Sequence, residues 1–287
     1  MPQDRFDGLE QRPGVSPDVI ALERRLYGWR RETADRIGAT YPDPLPAPAQ
    51  VDGARRGSEP LASLINPAPD GALLRDAADS FLDALDGLPV AQVLAEGLGD
   101  PPDAERLSRW FTLAWTPDGA ELKRLAEECS LEADVLRWSA RQLARPFFHR
   151  LGELLVGGEG MASRPPDAAG CPSCGGAPRM ARYERDEGRR HLWCDLCNLQ
   201  WTFPRVTCPF CLNRNQERLG YLVIEGSEQY RIDVCEECHG YLRAIDERGR
   251  PEGSQVDFPI EDVGTLHLGL FAEQQGYQPG ENHRLDG

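Results

Sequence analysis

The stretch that decides the fold runs from Cys171 to Cys238. It reads Cys171-Pro172-Ser173-Cys174-Gly175-Gly176, then Cys194-Asp195-Leu196-Cys197, then Cys208-Pro209-Phe210-Cys211, then Cys235-Glu236-Glu237-Cys238. Eight of the nine cysteines lie here, as four Cys-x-x-Cys pairs. Each pair sets two thiolates about one tight turn apart, so both reach a single metal ion, and the turn's N–H groups can point at the sulfurs. Two such knuckles at the ends of a β-hairpin complete a tetrahedral four-sulfur site. Nineteen residues separate the first two pairs and twenty-three the last two, and each spacer holds two short strands and a glycine turn. The first knuckles of the two units are offset by 37 residues (171 to 208, 174 to 211), as an internal duplication would leave them. The spacing predicts two centres paired in sequence order. Cys171, Cys174, Cys194 and Cys197 form the first; Cys208, Cys211, Cys235 and Cys238 form the second. Cross-bracing, first pair with third and second with fourth, is the alternative, and the ten-residue gap between Cys197 and Cys208 is long for it.

Other uses of the cysteines fit less well. Disulfides call for a secreted protein, and no apolar signal stretch occurs in Met1 to Gly14. A redox dithiol opens a helix after a strand, and none of the four pairs leads into a strong helical pattern. His191 and His239 neighbour knuckles, but two sets of four sulfurs leave them no vacancy. For the same reason no open coordination position is expected, so no Lewis-acid catalysis, and no residue stands out as catalytic. Four thiolates suit zinc or a single rubredoxin-type iron alike. Cys129 stands alone in a helical pattern and reads as a buried free thiol.

Around this array the chain changes character. Ser16-Pro17-Asp18 is a helix start, and Val19, Leu22, Leu26, Trp29 and Ile37 follow at helical spacing. Tyr41 to Pro60 carries five prolines and reads as a linker or extended strap. Helical patterns resume at Leu73, at Leu107 and from Ala120 to Leu155, with Thr116-Pro117-Asp118 as a second start signal and Pro146 expected to kink or break the last helix. Trp110, Trp115 and Trp138 read as core, and His149 as a satisfied histidine. Gly157 to Gly170 reads as a break. Strands are expected over 179–183, 190–193, 199–203, 218–224, 229–234 and 241–245, and one helix from Ile260 to Gln275 stopped by Gly276. The fold class is therefore multidomain α+β: an all-helical domain over 1–165, ribbons over 166–205 and 206–250, and a C-terminal helix and tail over 251–287.

Lys+Arg is 32 against 47 Asp+Glu, a net charge of -15, which opposes nucleic-acid binding unless basic residues cluster. The best candidate is the cluster Arg179, Arg182, Arg185, Arg189 and Arg190, with Glu184, Asp186 and Glu187 interleaved. No apolar run reaches the ~20 residues of a membrane helix. No twin-arginine export segment follows Arg24-Arg25 or Arg30-Arg31. A cytoplasmic protein with reduced thiols is expected.

The motifs resemble the FdhE family of formate dehydrogenase accessory proteins. The resemblance rests on Cys171-Pro-x-Cys174-Gly175-x-x-Pro178, Cys194-x-x-Cys197-x-x-x-Trp201, Arg205-Val206-x-Cys208-x-x-Cys211, Cys235-x-x-Cys238 with Tyr241-Leu242-Arg243, and Glu273-Gln274-x-Gly276-Tyr277. It covers about 165 to 277. One knuckle departs: His239 follows Cys238 where the family often has Gly, and Gly240 comes one residue late. The resemblance implies rubredoxin-like modules that carry iron, with zinc as the alternative. It also implies a cytoplasmic chaperone that binds the catalytic subunit of a molybdenum-dependent formate dehydrogenase before twin-arginine export. A nucleic-acid-binding zinc-ribbon protein and an iron-dependent electron-transfer protein are the competing expectations.

Overall fold

The structure is a computed structural model that describes residues 4–38, 40–56, 59–99, 102–116, 118–156, 162–163 and 168–281. The expected break over Gly157 to Gly170 falls largely outside the described residues, as does Pro117.

The helical half comprises α1 (Pro17–Ile37), α2 (Pro48–Arg55), α3 (Leu61–Leu64), α4 (Gly71–Ala84), α5 (Pro89–Leu98), α6 (Ala104–Thr112), α7 (Gly119–Glu128) and α8 (Ala133–Val156). Side-chain oxygens at the N-caps satisfy the first free N–H groups. Ser16 accepts from Val19 N, Asp70 from Leu73 N, Asp103 from Arg106 N and Asp118 from Glu121 N. The proline-rich segment is not simply extended, because Pro48 opens α2. Proline at the first helical position gives up no hydrogen bond, and the Gln50 side chain accepts from Ala47 N there.

α8 is the hub, packed against α1, α2, α4, α6 and α7. Leu136, Ala140, Leu143, Phe147, Leu151 and Leu155 recur at helical spacing and are all buried. Phe147 meets Tyr41 and Phe111 edge-on, 5.2 and 5.5 Å between ring centres. The helix continues through Pro146, which lacks the N–H that would reach the Gln142 carbonyl. That loss costs about 3 kcal/mol in an isolated helix. Here the apolar contacts on both sides of the proline hold the helix together. Trp110 is buried, while Trp115 and Trp138 pack half-buried against the same core.

The rest is built on one sheet, with β1 (Ala162–Ser163), β2 (Met180–Tyr183), β3 (Arg190–Trp193), β4 (Gln200–Thr202), β5 (Leu219–Leu222), β6 (Tyr230–Cys235), β7 (Gly240–Asp246) and β8 (Gln278–Pro279), and two further helices. The order is β1-β4-β3-β2-β7-β6-β5, with β8 on the end of β7. Each cysteine unit is an antiparallel three-stranded meander: a hairpin between its knuckles, then a strand after the second knuckle. The two meanders are joined by parallel pairing of β2 with β7, Met180 opposite Arg243 and Tyr183 opposite Asp246.

One face of the sheet carries Met180, Trp193, Ile232, Tyr241 and Ile245 against α9 (Phe258–Gly264) and α10 (Leu266–Gln274), with Trp193 stacked on Phe258 at 5.3 Å. The other face carries Ala181, Leu192, Trp201, Leu242 and Ala244 into the core of the helical half. The C-terminal helix is therefore two helices. At Thr265 the backbone leaves helical geometry, with φ −122° and ψ 18°. The Thr265 hydroxyl donates to the Glu261 carbonyl, and Arg243 donates to both Thr265 Oγ1 and the Asp262 carbonyl. Side chains thus take up the carbonyls at the end of α9. No described helix is long and apolar enough to cross a membrane.

Candidate metal centres

All four knuckles share one local geometry. The residue after each second cysteine is in the left-handed region: Gly175 at φ 77°, Asn198 at 58°, Leu212 at 61° and His239 at 53°. In the first knuckle Cys171 N donates to Gly176 O at 2.8 Å, and Gly175 N to Cys171 O at 2.9 Å. Cys194 N donates to Leu199 O, and Cys208 N to Asn213 O, in the same manner. The left-handed residue turns the chain back so that both sulfurs point inward. His239 takes that conformation itself. Gly240 is needed next to it because a Cβ there would lie 3.0 Å from the Phe210 ring and 3.3 Å from Cys238 Sγ.

The sulfurs converge as two quartets in sequence order, Cys171/Cys174/Cys194/Cys197 and Cys208/Cys211/Cys235/Cys238, each within 4.8 Å of one another. Cross-bracing is absent. Sulfurs held at ~2.3 Å from one ion in a tetrahedron stand about 3.8 Å apart. Here Cys171–Cys197 is 3.3 Å, Cys174–Cys194 3.5 Å, Cys208–Cys238 3.7 Å and Cys211–Cys235 3.8 Å. The donor set and spacing fit a tetrahedral four-thiolate ion and do not discriminate iron from zinc. Neither His191 nor His239 joins a quartet. His191 is buried and bonded to Glu184 at 2.7 Å. His149 sits on α8, where burial and the charges of Arg30 and Arg145 push its imidazole down to about 3.

Crowding makes these thiols unusual acids. Burial pushes Cys171 and Cys197 well up, while hydrogen bonds from Cys171, Cys194 and Cys197 pull Cys174 well down. A bound cation exchanges for the protons such a set retains.

The two centres differ in their surroundings. The first is sealed, its cysteines at most 3% exposed. Helices complete its shell in ways the spacing of cysteines does not show. At α3, Leu61 N and Ala62 N donate to Pro172 O and Ser173 O, both at 2.9 Å. From α8, Arg141 and Arg145 reach Asp195, inside the second knuckle, at 2.6 and 3.0 Å. Burial pushes the Asp195 carboxyl up, but the two guanidiniums outweigh it and bring it down to about 2. These partners lie 50 and 54 residues away, so no local pattern could have revealed them. The second centre is half open, with Cys211 and Cys238 partly exposed. Asn213 Nδ2 points at Cys235 Sγ, 3.9 Å away, and the tail crosses it where Gln278 N donates to His239 O at 2.8 Å. Cys129 lies apart, buried, and burial pushes its thiol up.

The arginines of the first hairpin are engaged within the protein. Arg179 pairs with Asp262, Arg182 with Glu247, and Arg189 with Glu187. Arg185 donates to Arg250 O, and Arg190 to Thr207 O.

Fold and centres together define a class: a tandem four-cysteine ribbon protein whose first centre is roofed by the helical half of the chain. Within that class the likeness is to FdhE proteins, and four findings show it. Residues 170–205 match the family model for the central domain of FdhE. An FdhE homologue of Stutzerimonas stutzeri is 38% identical over 112 residues, 37% of this chain and 35% of that protein. One of Aquifex aeolicus is 32% identical over 110 residues, 37% of this chain and 38% of that protein. The matched segment thus spans little more than a third of these relatives. The crystal structure of the FdhE protein from Pseudomonas aeruginosa shares the fold, with a TM-score of 0.57 over 94% of this chain and 89% of that one, at 21% identity.

Proposed function

We propose that this protein is an accessory factor for the maturation of a formate dehydrogenase, with one metal ion held by four thiolates in each of its two centres. On this reading Cys171, Cys174, Cys194 and Cys197 ligate the first ion, and Cys208, Cys211, Cys235 and Cys238 the second. The observation that carries it is the pair of four-sulfur quartets set in an FdhE-like architecture. Each quartet supplies a full tetrahedral set, so the ions organise the protein and do not open a catalytic position. The protein acts in the cytoplasm by binding the catalytic subunit before its export, and is not itself an enzyme. The division into 1–165, 166–205, 206–250 and 251–287 belongs to the same reading, as does iron as the native metal, with zinc able to substitute.

A strain lacking the gene should lose respiratory formate oxidation and keep growth on other electron donors. Purified protein that oxidises formate unaided would refute the reading. Metal analysis of protein purified without air and without chelator should give two ions per chain, and a visible thiolate-to-iron band identifies iron. An electron-transfer role has one observation in its favour, the half-open second centre. Reversible one-electron bleaching of that band at physiological potential would support it.

A further inference from the structure

The inner face of the sheet is only half covered by the helical domain. Ala181, Leu192 and Trp201 lie in the core shared with α8. Strand register carries the same face onward to Tyr183, Arg190, Arg231, Asp233, Tyr221 and Leu242. These residues line an open groove of about 260 Å³ between the two ribbons, walled on its far side by the loop that carries Arg205 and Phe210.

The groove's lining carries three arginines, Arg190, Arg205 and Arg231, and one carboxylate, Asp233, together with Cys208 and Cys235 of the second centre, whose thiolates add negative charge when metal is bound. Arg190 is 4% exposed and is fixed by Thr207 O at 2.8 Å. The Arg231 guanidinium lies 3.6 Å from the Tyr183 ring centre and 5.2 Å from that of Tyr221, and bonds Asp233 at 2.9 Å. Arg205 is exposed and, among the described residues, has no carboxylate at ion-pair distance. It stands out against Arg179, Arg182 and Arg189, each of which has one.

The groove opens onto an unprotected edge. β5 is the outermost strand on this side, and among the described residues no strand pairs with its outer edge. Tyr221 and Val223 are 61% and 64% exposed, and no lysine or proline guards 219–223. Soluble proteins usually blunt such edges, because their backbone groups invite another strand. A strand added there extends the sheet, and alternate side chains fall toward the groove.

We propose that this groove docks an extended acidic segment of a partner protein, which adds a strand to β5 and sets a carboxylate against Arg205 and Arg231. That this partner is the formate dehydrogenase the protein serves rests on the accessory-factor reading above; the groove's preference for an acidic strand does not. The probe is a fluorescein-labelled Glu-Val-Glu-Val-Glu-Val peptide titrated onto the full-length, metal-loaded chain. Saturable binding that weakens with added salt is expected. Arg205→Glu should weaken it at least tenfold. Since Arg205 is exposed, the variant should keep wild-type metal content and helical circular dichroism, and Val206→Glu gives a second charge reversal on the same wall. The Lys-Val analogue should not bind, and N-methylation of alternate amides should abolish binding of the Glu peptide. Absence of saturable binding below about 1 mM, equal binding to Arg205→Glu, or equal binding of the Lys or N-methyl peptide would overturn the proposal. Complementation separates the two readings. Full restoration of formate oxidation by Arg205→Glu removes the client enzyme from the groove and leaves the accessory role standing. Failure of the wild-type gene to restore it removes the accessory role and leaves the peptide result intact.

Discussion

Gly152 in α8 lies so close to the carbonyl of Cys197 that a Cβ at position 152 would sit 2.3 Å from that oxygen. The contact is backbone against backbone, so no rotamer change relieves it. Gly152→Ala should therefore destabilise the chain by about 3 kcal/mol, the upper end for overpacking, and loosen the first centre. Chemical denaturation with parallel metal retention measures both. An unchanged midpoint would show that the helix and the knuckle are not held at this separation.

Asp195→Asn should cost more than its small change of shape suggests. It removes the one carboxylate that Arg141 and Arg145 both reach, and leaves two half-buried guanidiniums without a counter-charge, held by the Ala114 carbonyl and Gln142 Oε1 alone. The cost should stay below the roughly 3–5 kcal/mol of breaking a fully buried pair. The loss should appear as a lower unfolding midpoint with an unchanged slope.

The two centres should respond unequally to loss of ligands. Cys171→Ser with Cys174→Ser should release one of two metals and also lower the melting temperature of the helices, because α3 donates to this knuckle from Leu61 N to Pro172 O and from Ala62 N to Ser173 O. Structural zinc contributes on the order of 10–16 kcal/mol of apparent binding energy, most of it folding energy. Cys211→Ser with Cys238→Ser should release the other metal and leave the helical melt near wild type. Metal analysis and far-ultraviolet circular dichroism report the two readouts. Equal helical destabilisation by both pairs would contradict the division.

Leu212 and His239 hold left-handed backbone where glycine is at ease. Leu212→Gly should stabilise the second ribbon by about 1 kcal/mol, less whatever Leu212 gains from its packing against the core. The double variant with His239→Gly tests whether the two gains add. A loss of stability in both would mean that side-chain contacts outweigh backbone strain at these knuckles.

Glu261 ties the chain's two ends together. It is 2% exposed and takes hydrogen bonds from Arg12, Tyr230 and Arg250. Burial pushes its carboxyl up, yet these partners hold it below the usual range. A carboxyl whose pKa is depressed by folding adds stability above its unfolded value of ~4.3, and that stability is lost as pH falls through the folded value. Wild type should exceed Glu261→Gln in stability at neutral pH, and the gap should shrink as pH drops below about 4. A gap that stays constant into acid would rule out the linkage.

The strands and centres were legible because their signals are local. Knuckle spacing, glycine turns and alternating short runs place β2, β3, β4, β5, β6 and β7 within a residue or two. What was not legible depends on distant partners. Arg243, sixty-nine positions from Cys174 in a different ribbon, breaks the C-terminal helix at Thr265 by donating to the Asp262 carbonyl and the Thr265 hydroxyl. Pro146 survives inside α8 because the surrounding aromatic core outweighs its missing hydrogen bond. The helical roof over the first centre follows from Asp195 and Gly152, and neither residue carries a sequence signature of the element it meets.

The parallel pairing of β2 with β7 has a bearing on how the chain is made. β2 ends at Tyr183, and its partner β7 is complete only at Asp246. As the polypeptide leaves the ribosome, the helical half and the first meander are finished while β2 still presents a naked edge. That edge waits for 63 further residues, and closing so long a loop is entropically slow. A nascent chain stalled before Asp246 therefore carries an adhesive strand, and self-association of such truncated chains is the hazard this topology accepts.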